Sequence, residues 1–182
     1  MSEQPVKNGV TARVLVISYV VSALILILDQ LTKFWAEQTL TSGELIYVLP
    51  FFDLTLVYNE GAAFSLLSTA GGWQRYFLSG LSAIVSLFLI FWIGRQHQPV
   101  ERMAWVLILG GAAGNLVDRV FYGHVIDFIS IHWEQYYWPT FNIADSALTI
   151  GAGLLFYEWM VLAPRRERQS RGGAERTEEG KA

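Results

Sequence analysis

The sequence predicts an all-α membrane protein: a bundle of four transmembrane helices with a small extracytoplasmic β-sheet and a short interfacial helix. Three observations carry that prediction. Of 182 residues, 53% are hydrophobic and only 16% charged, with a mean hydropathy of +0.35, more apolar than a water-soluble domain of this size requires. Four apolar runs are each long enough to cross a hydrocarbon core of about 30 Å. Two of the segments between them have the β-branched and aromatic composition of strands. The chain has no cysteine, which excludes disulfides, thiol nucleophiles and Cys-based metal sites.

Residues 1–13 form a short polar N-terminus, and residues 14–163 hold the four spans. The first span runs from about Val14 to Trp35. Lys7 and Arg13 before an apolar core would suit a cleaved signal peptide, but no small-residue cleavage site follows and the chain continues into Asp29-Gln30-Leu31-Thr32-Lys33. The run reads as a retained helix. The second span, about Tyr76 to Gly94, carries no charge; the third is about Met103 to Phe121 and the fourth about Phe141 to Ala163. Outer connections are expected at about 36–75 and 122–140. The arginine-rich stretch 164–182 is polar and lacks apolar periodicity, so it reads as a disordered basic tail at the anionic inner leaflet.

Lys and Arg set the orientation. Ten of the thirteen lie before the first span, between the second and third, or after the fourth; Lys33, Arg75 and Arg119 lie at the other ends. The positive-inside rule then places both termini in the cytoplasm. All seven tryptophans fall near a span end or in an outer connection, as interfacial anchors do.

On this topology the polar residues converge. Asp29 and Lys33 share a face near the outer end of the first helix, four residues apart. Asn115, Asp118 and Arg119 share one near the outer end of the third. Asn142 and Asp145 lie in the first turns of the fourth, and Asp127 follows the third within a few residues. Buried ionisable groups must pair or neutralise. Pairing of Asp29 with Lys33, and of Asp118 with Arg119 or another cation, is the structural expectation, and it leaves Asp127 and Asp145 without a dedicated cation. Two such carboxylates at one depth suit acid–base chemistry on a peptide bond, one protonated and one ionised. Asp118 stays open as an alternative partner for Asp145. No Ser–His–Asp or Cys–His arrangement competes, and His124 and His132 read as structural. No HExxH-like spacing supports a metal.

Leu45 to Asn59 and Val125 to Trp133 have strand character, the latter carrying Asp127. Ala62 to Trp73 could form a short interfacial helix. Gly110, Gly111 and Gly114 form a small-residue surface for close helix packing.

These residues fall into ordered boxes: Asp29-Gln30-x-x-Lys33, Tyr58-Asn59-x-Gly61-Ala62-Ala63-Phe64, Gly114-Asn115-x-x-Asp118-Arg119, Val125-x-Asp127-Phe128 and Phe141-Asn142-x-Ala144-Asp145-Ser146. In them the chain resembles bacterial lipoprotein signal peptidase (signal peptidase II) from about Val14 to Ala163. The resemblance implies an aspartic endopeptidase of the cytoplasmic (inner) membrane, with its active site near the outer face. It would remove the signal peptide of diacylglyceryl-modified prolipoproteins, cutting just before the lipidated cysteine, with no metal or organic cofactor. Asp127 and Asp145 would be the catalytic dyad. Asn59, Gly61, Asn115, Arg119, Asn142 and Ala144 would bind substrate or orient the dyad, and Asp29, Lys33 and Asp118 would support the site. The partners implied are the prolipoprotein, membrane lipids and cyclic peptide inhibitors of the globomycin type. No nucleic acid is expected, and the chain is expected to act as a monomer. Tyr58 to Leu67 is a candidate clamp over the substrate.

Two other classes fit parts of the pattern. A proton-coupled transporter could use Asp127 and Asp145 as relays, but the polar groups stop at the outer end. A non-catalytic assembly factor could use the glycine surface and would tolerate loss of both aspartates.

Overall fold

The computed structural model describes residues 10–61 and 73–179. Its helices are α1 (Ala12–Thr39), α2 (Trp73–Trp92), α3 (Pro99–Phe121), α4 (Ile143–Tyr157) and α5 (Ala163–Glu179), and its strands are β1 (Ile46–Leu49), β2 (Phe52–Asn59), β3 (Val125–Trp133) and β4 (Tyr136–Tyr137). A 3-10 turn, Ile93–Arg95, ends α2, and a π turn, Glu158–Leu162, joins α4 to α5. Four helical stretches are long and apolar enough to cross a membrane: Ala12–Thr39, Trp73–Arg95, Pro99–Phe121 and Ile143–Gly172.

The third of these is central, since α3 packs against α1, α2 and α4. Small residues make that closeness feasible. A Cβ at Gly110 would run into Ile25 and Ser22 of α1, and one at Gly111 into Ala144 and Leu148 of α4. Their neighbours in α3 fill the seam with α2, where Leu89, Ile93, Val106 and Leu109 form one apolar cluster. The outward faces of α1 and α2 are the reverse: Phe34, Ile84 and Phe91 are all exposed, as lipid-facing residues are.

The sheet covers one end of the bundle. Its four strands run in the order β1-β2-β3-β4, all antiparallel. Ala36 and Leu40 at the end of α1 pack with Leu56, Ile126 and Phe128 and seat the sheet on the bundle. Strict alternation fails in the middle of β2. Leu54 pairs with Ile129 but Val57 with Asp127, so β2 carries one extra residue there. Across that bulge Thr55 and Leu56 are both buried while Val57 and Tyr58 are exposed.

Beyond Pro164 the expected disordered tail meets a helix, α5, which continues α4 to Glu179. Arg, Glu, Gln and Ala are good helix formers, and a solvated helix lacks the apolar stripe by which a helix is recognised in sequence. Of the interfacial helix expected over 62–73, all but Trp73, which begins α2, lies outside the described residues, as does most of the clamp segment.

Candidate active site

At the sheet end of the bundle, Lys33 ties α1 to α3. Its Nζ lies 2.7 Å from Asp29 Oδ2, 2.7 Å from Asp118 Oδ2 and donates to Asn115 Oδ1 at 3.1 Å. An ammonium has three donors, and all three are used. Both carboxylates are wholly buried. Two carboxylates against one cation leave a residual negative charge, which neutral donors share. Asp29 Oδ1 accepts from the Ala144 backbone N–H at 2.8 Å, and Asp118 Oδ2 accepts from that of Ile126 at 3.2 Å. Gln30 Nε2 donates to Asp118 Oδ1 at 2.8 Å. The backbone of α3 must approach closely here: a Cβ at Gly114 would sit 2.6 Å from Asp29 Oδ2.

Of the cations expected for Asp118, Arg119 or another, it is Lys33 that pairs with it, and not Arg119. Successive residues on a helix point about 100° apart and do not face each other. Arg119 turns the other way, donating from Nη2 to the Gly61 carbonyl at 3.0 Å and from Nη1 to the Asn115 carbonyl at 3.4 Å.

The remaining carboxylates, Asp127 and Asp145, sit among three asparagines. Asp127, on β3, accepts from Asn59 Nδ2 at 3.0 Å and from Asn142 Nδ2 at 2.7 Å. Asp145, in the first turn of α4, accepts from Asn115 Nδ2 at 2.7 Å. Asn142 is the N-cap of α4: its backbone is extended, and its Oδ1 accepts the Asp145 N–H at 2.8 Å. One side chain thus begins the helix that carries Asp145 and holds Asp127. Asn59 is braced in turn by the Gly61 N–H, which donates to its Oδ1 at 3.0 Å. Among the described residues neither Asp127 nor Asp145 has a cation within ion-pair distance.

Both line a cavity of about 940 Å³, walled by Tyr58 and Asn59 of β2, Asn115 and Arg119 of α3, Trp138 to Phe141, and α4 from Asp145 to Ile150. Burial is the largest cause raising the Asp127 carboxyl from 3.8 to about 7, and the charge of Asp145 adds to it; the Asn59 and Asn142 bonds and Lys33 pull the other way. A carboxyl near 7 exchanges protons at neutral pH. Among the described residues no cluster of three or more His, Cys, Asp or Glu side chains is placed to hold a metal ion.

The residues singled out in the sequence from Asp29 to Asp145 are brought to this one end; Asn59, Asn115, Arg119, Asp127 and Asp145 line the cavity, while Asn142 and Ala144 are fully buried behind it with Asp29, Lys33 and Asp118. Ala144 contributes its backbone N–H to Asp29. Two polar residues carried no role in the sequence reading. Gln30 was masked by its position inside an apolar span, beside the more conspicuous Asp29. Asp53 lies in the run from Leu45 to Asn59 that reads as strand. It is fully buried, opposite Ser130, with His132 Nε2 3.2 Å from its Oδ2. His132 stacks on Tyr137 and His124 packs edge-on against Tyr58, so both histidines serve the sheet.

The family model described as Signal peptidase (SPase) II matches residues 21–161. A lipoprotein signal peptidase of Burkholderia thailandensis is 47% identical over 139 residues, covering 76% of this chain and 84% of that protein. One from Acinetobacter baumannii is 46% identical over 151 residues, covering 82% and 86%. Two solved structures of a bacterial membrane enzyme, obtained by the in meso method at 2.3 and 1.9 Å, match with TM-scores of 0.72 and 0.70 at 33% identity; they cover 79% and 80% of this chain, and 87% and 93% of their own. The fold and the matches define a multi-pass membrane peptidase. The chain belongs to the signal peptidase II family.

Proposed function

We propose that this peptidase removes the signal peptide from diacylglyceryl-modified prolipoproteins, cutting just before the lipidated cysteine, with Asp127 and Asp145 activating water. The observation that carries the reading is the pair itself: two carboxylates without ion-pair partners among the described residues, fixed by asparagines on the wall of one large cavity. The relatives named lipoprotein signal peptidase supply the substrate class.

The chemistry follows from the two environments. Asp127, with its carboxyl raised to about 7, is the proton donor. Asp145 is the base. Water held between them loses a proton to Asp145 as its oxygen adds to the scissile carbonyl carbon, and Asp127 protonates the carbonyl oxygen. The diol then collapses. Its hydroxyl proton returns to Asp127, the C–N bond breaks, and the cysteine nitrogen leaves with the proton held by Asp145. Both carboxyls regain their starting states. Asn115 fixes Asp145, and Asn59 and Asn142 fix Asp127, on the wall of one cavity, and positioning of reacting groups is worth orders of magnitude in rate.

The placement in the membrane supports the substrate. With the termini in the cytoplasm, the sheet end lies at the outer face of the inner membrane, where an acylated cysteine would hold the scissile bond. Acyl chains can remain in lipid beside α4, while Trp138 to Phe141 cover the peptide. Asp127→Asn and Asp145→Asn, each purified in folded form, should lose cleavage of a diacylglyceryl-modified prolipoprotein by gel shift, and chelators should leave the unmodified enzyme untouched. Full activity in either variant would sink the dyad.

A further inference from the structure

Arg75 lies outside the boxes that carry the family resemblance, and nothing in the proposed chemistry uses it. Its guanidinium nevertheless closes the end of the helix that carries Asn115 and Arg119. Nε donates to the Arg119 carbonyl at 2.9 Å, and Nη2 to the Val120 carbonyl at 3.0 Å. The last carbonyls of a helix have no partners within it. In α3 the Asp118 carbonyl is met by the backbone N–H groups of Tyr122 and Gly123, at 2.7 and 3.2 Å. Arg75 takes the next two with one rigid fork, at the helix end where a cation is favoured.

The chain on the far side has been shaped around that fork. Gly123 has φ +88, and a Cβ there would lie 2.8 Å from Arg75 Nη1 and 3.0 Å from Cζ. The backbone turns across the guanidinium and enters β3 two residues later, at Val125, two residues before Asp127. Arg119 is held at both ends, its carbonyl by Arg75 and its guanidinium on the Gly61 carbonyl. Gly61 in turn braces Asn59, which donates to Asp127. A single side chain at the start of α2 therefore fixes the turn that leads from the α3 helix bearing Asn115 and Arg119 into the strand bearing Asp127.

We infer that Arg75 is a positioning residue for the reaction: it sets Asp127 on β3 against Asp145, held by Asn115 of α3, by locking the last turn of α3 and the bend at Gly123. The inference rests on the dyad reading. A lysine at 75 would keep the charge but reach one carbonyl well at best, whereas glutamine would lose the fork and the charge.

The test uses full-length enzyme and diacylglyceryl-modified prolipoprotein in one detergent, with kcat and KM measured for the unmodified chain, Arg75→Lys, Arg75→Gln and Asp127→Asn. Misplacement of reacting groups by a fraction of an ångström lowers turnover, so Arg75→Gln should lose about tenfold or more in kcat with KM changed by less than about twofold. Arg75→Lys should fall between, a partial rescue. An unchanged kcat in folded Arg75→Gln would overturn the inference. So would equal losses in Gln and Lys variants that follow a weakened KM, the mark of a structural role alone. If Arg75→Gln does not fold, Arg75→Lys decides by the same split: a lowered kcat at constant KM supports positioning, and an unchanged kcat refutes it. Activity in Asp127→Asn would instead bring down the dyad reading, a separate outcome.

Discussion

Asn59 shows how finely a single amide bears on this site. Its bond to Asp127 stabilises the charged form, so it opposes the burial that raises that carboxyl to about 7. The proposed mechanism needs Asp127 protonated, so activity should fall as pH rises through about 7. Removing the amide with Asn59→Ala should carry Asp127 higher still. The falling limb of the kcat/KM profile would then move to higher pH, whatever happens to the absolute rate; a limb that stays or moves down would contradict the donor role of Asp127. Asp127 and Asp145 could be read in the sequence because a carboxylate in apolar company is conspicuous. Arg75 could not, since it stands at the edge of an apolar run where any span end tolerates an arginine. The burial of Asp53 was not legible either, because strand alternation gives a face but not which face is covered.

Among the elements, the π turn at Glu158–Leu162 has a geometric purpose. Glu158 is buried, and it pairs with Arg166 across that turn. Eight residues apart on a regular α-helix they would lie about 80° apart around the axis; a π turn absorbs one residue and brings them to about 20°. The bulge thus lets a buried carboxylate find a cation on its own helix. Arg166→Gln should lower the unfolding temperature in detergent, because a buried charge is left alone, and Glu158→Gln added to it should recover most of the loss. Arg165→Gln is the control and should change little. The spans and strands β1 to β3 were legible in the sequence as apolar length and β-branched alternation, while β4, only two residues long, was not. The π turn, the bulge in β2 and helix α5 were not, because each adds or keeps residues without altering the hydropathy that marks an element.

For the whole molecule, Lys33 is the knot between α1 and α3, and charge sorts into two separate sets. Asp29 and Asp118 share Lys33, while Asp127 and Asp145 are served by amides. Lys33→Met would strand two buried carboxylates and should cost about 3–5 kcal/mol of stability, read by denaturant unfolding in micelles. Lys33→Met with Asp29→Asn and Asp118→Asn should recover part of it. The convergence of these residues at one end was legible from span order and helix spacing alone. That Lys33 pairs with Asp118 as well as with Asp29 was not, since that depends on how α1 and α3 rotate against each other. The cavity wall formed by Thr149 and Ile150 has a kinetic consequence. Both residues are exposed on the flank of α4, so a lipid-anchored substrate would arrive by diffusion within the bilayer plane, without leaving it. The relevant concentration would then be moles of substrate per mole of amphiphile. Adding detergent at fixed enzyme and substrate should slow cleavage by surface dilution, and a rate indifferent to detergent would mean that the substrate reaches the site through water.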